Sequence, residues 1–342
     1  MRIIVDAMGG DNAPQAIVKG ALQAQKELGA EIVLVGRKEA IEACLEAEKA
    51  PVAQIVDARE IITMDDDPST ATRRKKDSSM AVALKMLHDG EGDAVVSAGS
   101  TGALLTGATL TVKRIRGIRR AALAPVLPNG GRGVMLIDCG ANVECTPEYL
   151  LQFAYMGSFY SKRMLGCDEP RVGLLSNGTE EHKGGKLQHE TFELLREADT
   201  QGRIRFIGNV EASQLLSGDV DVVVTDGFTG NVLLKGIEGT TKFMLKQLKG
   251  LFFKNLKNKL AALAIRSEFS GLKKSLDPNE VGGTAMLGIS RPVIKAHGSS
   301  DDRAVFNAIR QAMLFADSGI IDEITNNMDY MRLTQPAAAP EA

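Results

Sequence analysis

Asp93-Ala-Val-Val-Ser-Ala-Gly-Ser-Thr-Gly-Ala-Leu-Leu-Thr-Gly-Ala-Thr-Leu110 carries the reading that decides the fold. A short apolar run, Ala94–Val96, gives way to Ser97, Gly99, Ser100, Thr101 and Gly102, and a small-residue segment of helical character follows. Strand, glycine-rich turn and helix start, in that order, aim free backbone N–H groups and hydroxyls at an anion. The spacing is neither G-x-x-x-x-G-K-[ST] nor G-x-G-x-x-G, so no nucleotide fingerprint is present here. The turn predicts an anion site whose ligand need not be a nucleotide.

The same pattern recurs on either side. Arg2–Asp6 reads as a buried strand, followed by Ala7-Met-Gly-Gly-Asp-Asn-Ala-Pro14 and a helix to about Leu28. Glu31–Val35 and Gln54–Asp57 read as strands separated by a helix over Lys38–Glu48. Asp65–Lys76 is a polar loop with the basic cluster Arg73, Arg74, Lys75 and Lys76, after which Asp77 or Ser78 caps a helix through His88. Further strands are expected at Val134–Asp138, Val172–Leu175, Ile204–Ile207 and Val220–Thr225. This alternation predicts a three-layer α/β/α fold with a mainly parallel sheet. Loops rich in Gly, Asn and Asp follow the apolar runs at Asp6, Ser97, Asp138, Ser176 and Asp226. Turn chemistry alone explains any one of them. Their repetition at successive strand ends predicts a shared cleft outside the carboxyl edge of the sheet.

Composition sets the outer limits. The chain has 342 residues, 44% of them hydrophobic and 25% charged, which suits a globular α/β protein. A formal net charge of −2 argues against a broadly basic nucleic-acid binder. Cys44, Cys139, Cys145 and Cys167 show no C-x-x-C pairing and read as reduced thiols of a cytoplasmic protein. The chain enters a strand at once with no signal-peptide pattern, and no uninterrupted apolar run is long enough to span a membrane. One domain over residues 1–335 is expected, built as two lobes around one cleft. The Ala/Pro-rich tail at 336–342 is expected to be disordered.

Few side chains announce chemistry. His297, at another strand exit, suits anion binding or proton transfer and equally a structural role. His88 and His189 are assigned none, and scattered histidines without H-E-x-x-H give a metal site little support. Cys139 is the best thiol candidate, with a small buried packing residue as its alternative. Lys183 and Lys186 lie beyond a strand end beside glycines, placed either to neutralise an anion or to face solvent.

Residues 240–276 form a basic amphipathic unit. Lys242, Lys246, Lys249, Lys254, Lys257, Lys259, Arg266, Lys273 and Lys274 face the single acid Glu268. At about 100° per residue Phe252, Phe253, Leu256, Leu260 and Leu263 share one arc. Such a helix either packs on a core with a wet outer face or lies against a membrane or acidic partner.

Taken in order, these motifs resemble the PlsX-type phosphate acyltransferases. The matching pieces are Asp6-Ala-Met-Gly-Gly-Asp11 with Pro14, Arg73-Arg74-Lys75-Lys76 with Ser78-Ser79-Met80, Ser97-Ala-Gly-Ser-Thr-Gly-Ala103 and Asp138-Cys-Gly-Ala-Asn142. They continue through Gly178-Thr-Glu180 with Lys183-Gly184, Gly208-Asn-Val-Glu211, Asp226-Gly-Phe-Thr-Gly-Asn231 and Lys295-Ala-His-Gly-Ser-Ser300. The resemblance runs from Met1 to about Ala316. Two departures stand out: Cys139 occupies a position often apolar in relatives, and Val281–Gly288 is a looser glycine-rich segment.

The resemblance implies a fold related to phosphotransacetylases and isopropylmalate-type dehydrogenases, with a protruding helical segment. It also implies a homodimer at the inner face of the cell membrane. The implied reaction makes acyl phosphate from acyl-[acyl-carrier-protein] and inorganic phosphate for phospholipid synthesis, without a cofactor. A downstream membrane glycerol-3-phosphate acyltransferase is an implied partner. Phosphate is already anionic and a thiolate with a pKa of about 8–9 leaves readily, so neither triad nor metal is required. Ser100, Thr101 and Gly102 are then expected to cradle phosphate, and Lys183 and Asn231 to stabilise charge at the reacting carbonyl. Asp6, Gly9, Gly10, Ser97, Gly230, His297 and Ser299 are expected to line the same cleft. Arg73, Arg74, Lys75 and Lys76, with Phe252, Phe253, Lys254, Leu256, Lys257 and Leu260, are candidate contacts to carrier protein or membrane. Rival readings are an acyl-CoA-dependent phosphotransacetylase, an NAD-dependent dehydrogenase of related fold and a non-enzymatic membrane scaffold.

Overall fold

Short β-branched runs and Ala-rich amphipathic helices alternate along most of the chain. The computed structural model describes residues 1–50, 53–264, 271, 282–329 and 331. The first half supplies β1 (Arg2–Asp6), α1 (Gln15–Leu28), β2 (Glu31–Gly36), α2 (Lys38–Ala47), β3 (Gln54–Asp57), α3 (Ala71–Arg74), α4 (Ser79–Asp89), β4 (Ala94–Ser97) and α5 (Thr101–Gly107). A π-helical turn, Ala108–Val112, prolongs α5. The middle supplies β5 (Ala122–Ala124), β6 (Val126–Leu127), β7 (Val134–Ile137), α6 (Pro147–Met164), β8 (Arg171–Leu175), α7 (Lys186–Thr200), β9 (Arg205–Val210) and β10 (Val222–Val224). Then come α8 (Gly227–Phe253), α9 (Leu256–Ala264), β11 (Thr284–Leu287), β12 (Val293–Lys295), α10 (Asp302–Asp317) and α11 (Ile320–Asn326).

The mainly parallel α/β architecture is present, with its strands divided between two sheets. One runs β3-β2-β1-β4-β12-β11-β5 and the other β6-β7-β10-β8-β9. Among the strands of the described residues, antiparallel pairing joins β11 to its neighbours β12 and β5, and β6 to β7. The sheets are stitched where the chain runs from β5 through Pro125 into β6. There Leu136 N donates to Pro125 O at 3.0 Å, and Cys139 N to Leu123 O at 3.0 Å.

Alternation along the strands splits the buried side chains into two clusters. Ile3, Val5, Val96 and Ile294 join α1, α6 and α10 in one, while Ile4, Val95 and Val293 join α4 in the other. The second also takes in Val134, Leu136 and Val223, so the core runs through both lobes. As expected, Ser78 caps α4, its hydroxyl accepting from Ala81 N at 3.3 Å.

Helix α8 differs from the others. Among its residues only Gly227 and Gly230 are buried; Leu233, Leu234 and Ile237 pack half-buried on the second core cluster, and most of the helix beyond them is exposed. The continuous arc expected from Phe252 to Leu263 is interrupted, because α8 ends at Phe253 and α9 begins at Leu256. Asn255 accounts for the break: its side chain accepts from Asn258 N at 2.9 Å, while Asn258 Nδ2 donates back to Leu251 O at 2.7 Å. Arg266, Lys273, Lys274, Val281 and the tail at 336–342 lie outside the described residues.

Candidate active site

Three adjacent parallel strands end in a row of polar side chains. Asp6 of β1 is in register with Ser97 of β4, and Ser97 is in register with Lys295 of β12. Each lies two residues beyond a member of the second core cluster (Ile4, Val95, Val293), so all three belong to one face of the sheet. All three are buried. Ser97 Oγ donates to Asp6 Oδ2 at 2.6 Å, and Met8 N donates to Oδ1 at 3.3 Å. Burial pushes the Asp6 carboxyl above its ordinary range against the pull of Ser79, Ser97 and the Met8 and Gly9 amides.

The loops after these strands touch. A methyl group on Gly9 would stand 2.7 Å from both Asp6 Oδ2 and Gly99 N, so only glycine lets the β1 and β4 loops close. Asp11 N donates to Gly298 O at 2.7 Å, and Asn12 Nδ2 to the Ser299 and Ser300 carbonyls at 3.2 and 3.1 Å. Asp6, Gly9, Gly10, Ser97, His297 and Ser299 are thus brought together. Ser100, buried, and Thr101, exposed, follow directly at the start of α5, while Gly102 faces Pro68 of the polar loop. The first N–H groups of α5 have no partner within the helix.

His297 sits on the outer side of this group. Its Nδ1 accepts from Ser299 N at 3.2 Å and meets Ser299 Oγ at 2.8 Å, which leaves the neutral ring protonated at Nε2. Partial burial, with the nearby Lys235 ammonium, lowers its pKa, so the neutral ring is favoured.

A second polar group lies at the ends of β7 and β10. Asp138 accepts from Leu123 N at 2.9 Å, Ala141 N at 3.2 Å, Asn142 N at 2.7 Å and Asn142 Nδ2 at 2.9 Å. It thereby ties the two sheets together, and burial raises its pKa. Asp226 caps α8 through Thr229 N at 2.8 Å, and Gly227 N donates to Asn142 O at 2.7 Å. Gly230 packs so tightly on the Asp138 carbonyl that any Cβ there would overlap it. Asn231, next along α8, is exposed beside Gly140.

Lys183 lies across from this helix start, its side chain packed against Gly178. Between them runs a groove of about 610 Å³ lined by Leu175, Ser176, Asn177, Gly184, Val232 and Leu233, among others. Lys183 and Asn231 are the sequence neighbours of the lining residues Gly184 and Val232 and do not themselves line the groove. Lys235, one turn further along α8, bears electrostatically on both Lys295 and Cys139, so α8 links the two groups.

The thiol candidate does not survive. Burial, with Asp138 alongside, pushes Cys139 well above its ordinary range, so the reactive thiolate is suppressed. Burial also raises Cys44 and Cys167, and pushes Cys145 up to about 12.

Lys295 is the residue missed as a site candidate. Burial lowers its pKa to about 8, despite the Asp6 carboxylate nearby. In sequence it is a lysine ending a short apolar run, and only the register reveals its neighbours.

The outer basic residues divide. Arg73, Arg74 and Lys76 are exposed, whereas Lys75 turns inward, its ammonium on Asp66 at 2.6 Å and Ile61 O at 2.8 Å. Lys75 therefore holds the loop together rather than offering free charge. Phe252 is half-buried, while Phe253, Leu256 and Leu260 are exposed along with Lys254 and Lys257.

Two α/β lobes with polar side chains gathered at strand ends define an enzyme of the phosphotransacetylase-like fold class. A phosphotransacetylase from Streptococcus pyogenes superposes with a TM-score of 0.63 over 92% of this chain and 94% of its own, at 16% identity. EutD phosphotransacetylase from Staphylococcus aureus gives 0.59 over 92% and 93%, also at 16% identity. A 4-hydroxythreonine-4-phosphate dehydrogenase from Klebsiella pneumoniae gives 0.54 over 93% and 99%, at 12% identity. At such identities the likeness is one of fold.

Sequence comparison goes further. Residues 1–323 match the family described as "Fatty acid synthesis protein". A phosphate acyltransferase from Bacillus licheniformis is 48% identical over 91% of this chain and 93% of its own. One from Clostridium kluyveri is 46% identical over 95% and 96%. The chain belongs to this family, the phosphate acyltransferases, and is an acyltransferase.

Proposed function

We propose that the acyl donor is acyl-[acyl-carrier-protein] and the acceptor inorganic phosphate, the product being an acyl phosphate for phosphatidic acid synthesis. A phosphate oxygen attacks the thioester carbonyl, forming the C–O bond. The tetrahedral oxyanion collapses with cleavage of C–S, and the thiolate leaves with the electron pair. The state of the cysteines carries this reading of direct attack: all four thiols are held above their ordinary pKa, which disfavours a cysteinyl-acyl intermediate. Phosphate supplies its own negative charge, so the protein need only bind, orient and stabilise charge.

In this reading Ser100, Thr101 and Gly102 help hold phosphate. Lys183 and Asn231, adjoining the groove residues Gly184 and Val232, stabilise the oxyanion. Asp6, Gly9, Gly10, Ser97, His297 and Ser299 line the phosphate side of the cleft, and Gly230 seats the start of α8.

The carrier protein, acidic in general, docks on Arg73, Arg74 and Lys76. The α8–α9 unit holds the enzyme at the inner face of an anionic membrane, near the glycerol-3-phosphate acyltransferase that consumes the product. In support, Leu256, Leu260 and Leu263 form an i, i+4, i+7 stripe that is 74%, 61% and 65% exposed. The chain works as a homodimer. Phe228, Val232 and Phe243, all exposed, fall within about 60° of one another around α8 and offer that helix a partner face.

The deciding assay follows release of carrier thiol, with hydroxylamine trapping of acyl phosphate. Release that depends on phosphate supports the reading, and release indifferent to phosphate rejects it. Coenzyme A thioesters serving better than the carrier thioester would favour the phosphotransacetylase alternative.

A further inference from the structure

We propose that the Lys295 ammonium is the principal seat of the phosphate anion, between the ends of β4 and β12; this rests on the phosphate-accepting reaction above. Lys295 is 8% exposed, yet it makes no ion pair among the described residues. Its Nζ donates to two backbone carbonyls, Ala98 O at 3.4 Å and Ala296 O. An ammonium has three donors, so one remains without a partner among the described residues. Asp6, the nearby acid, is already engaged by Ser97, Ser79, Met8 and Gly9.

Asp6 and Asp11 act on this ammonium only from beyond ion-pair contact, and a buried ammonium with no carboxylate against it is costly to hold. An anion arriving at Nζ relieves that cost and strengthens in the low dielectric. The loop after β12 adds a second donor in want of a partner. Ser300 is buried, its hydroxyl lacks a hydrogen-bond partner among the described residues, and Asn12 ties its carbonyl to the loop after β1. A tetrahedral dianion at these strand ends would meet the Lys295 charge, with the Ser300 hydroxyl as a further donor five residues along the same strand exit. A buried site at the strand ends suits a small oxyanion such as inorganic phosphate better than a bulky phosphate ester.

Lys295→Met keeps the length of the side chain and removes its charge. With circular dichroism unchanged, the KM for phosphate should rise by about 10- to 100-fold, and that for the acyl donor by less than about twofold. Inorganic phosphate should raise the melting temperature of the wild-type protein and leave that of the variant unmoved. A phosphate KM within about twofold of wild type, or a fall in kcat alone, overturns the assignment. Wild type that releases no thiol with phosphate defeats the functional reading, while the melting comparison still tests Lys295.

Should Lys295→Met fail to fold, wild type itself provides the test. The groups facing Lys295 are Asp6, Asp11, Lys235 and the neighbouring His297. The lysine is charged below its pKa of about 8 and neutral above it. Phosphate-dependent stabilisation should therefore weaken as pH rises through about 8 in wild type, and at a higher pH in Lys235→Met, where a charge that lowers the Lys295 pKa is gone. A phosphate effect that is flat from about pH 7 to about pH 10 overturns the proposal.

Discussion

The Ser97 hydroxyl donates to Asp6 Oδ2 at 2.6 Å across neighbouring parallel strands, while Gly99 N donates to Ser97 Oγ at 3.1 Å. One hydroxyl thus fixes a buried carboxylate and the first turn of the anion loop together. Ser97→Ala should destabilise the protein at neutral pH by about 1–3 kcal/mol, since a buried carboxyl loses a hydroxyl donor. Because the folded pKa of Asp6 is raised, its ionisation penalty is absent below the ordinary carboxylate range, grows as pH rises above that range and is complete above the folded value. The deficit of Ser97→Ala should accordingly shrink on acidification. Denaturant unfolding at about pH 4 and about pH 8 measures this, and an equal deficit at both would contradict it.

Gly230 supplies a steric test of the other polar group. A Cβ there overlaps the Asp138 carbonyl, so Gly230→Ala must push the start of α8 away from the loop after β7. Turnover should fall by on the order of 10²-fold, because displacement by about 1 Å is enough to misplace Asn231. Gly239→Ala, on the same helix with open space around it, should stabilise by up to about 1 kcal/mol and preserve turnover. Equal behaviour of the two variants would exclude the packing argument.

The strand exits were legible because each couples an apolar run to a glycine-containing loop, and such patterns are local. Asp6, Ser97, Asp138 and the Asp226 cap sit where those patterns put them. The division into two sheets was not legible, since it depends on β5 and β6, only 3 and 2 residues long, on either side of Pro125. Lys295 escaped for a related reason: its partners are fixed by register with strands nearly 200 and 300 residues earlier in sequence, and no local pattern records that pairing. At α8 the apolar period carried on through Asn255, whose capping hydrogen bond breaks the helix that periodicity alone prolongs.

Lys183 and Asn231 stand apart from the buried row, one beyond β8 and the other on the first turns of α8. If they stabilise the oxyanion, Lys183→Ala and Asn231→Ala should each lower kcat by on the order of 10²-fold, with the KM for phosphate little changed. That separates them from Lys295, whose loss is expected in phosphate binding. Steady-state kinetics with both substrates varied provides the comparison. Near-normal kcat in a folded variant would remove that residue from the mechanism.

The exposed and engaged members of the basic cluster should part in the same way. Arg73→Glu with Arg74→Glu should raise the KM for the acidic carrier substrate by about 10-fold at low salt, and by less as salt screens the charge. Lys75→Met instead frees Asp66, to which the ammonium is bound, and should loosen the loop with a smaller effect on carrier affinity. Carrier titrations at two ionic strengths distinguish them. A larger rise in KM from Lys75→Met than from the arginine pair would reverse the assignment.

In the proposed membrane attachment the contact is assigned to the leucines of α9 rather than to Phe252, which is half-buried. Leu256 and Leu260 are 74% and 61% exposed, and Lys257 and Lys259 flank them, so in that proposal apolar insertion and attraction to anionic lipid act on the same helix. Leu256→Glu with Leu260→Glu removes the apolar stripe and adds repulsion. Because α9 is remote in sequence from the strand ends and exposed, phosphate-dependent thiol release should persist. Flotation with anionic vesicles should drop to background in the double variant. If flotation is unchanged, α9 is not the membrane contact, and its leucines are left for the contact between two copies of the chain.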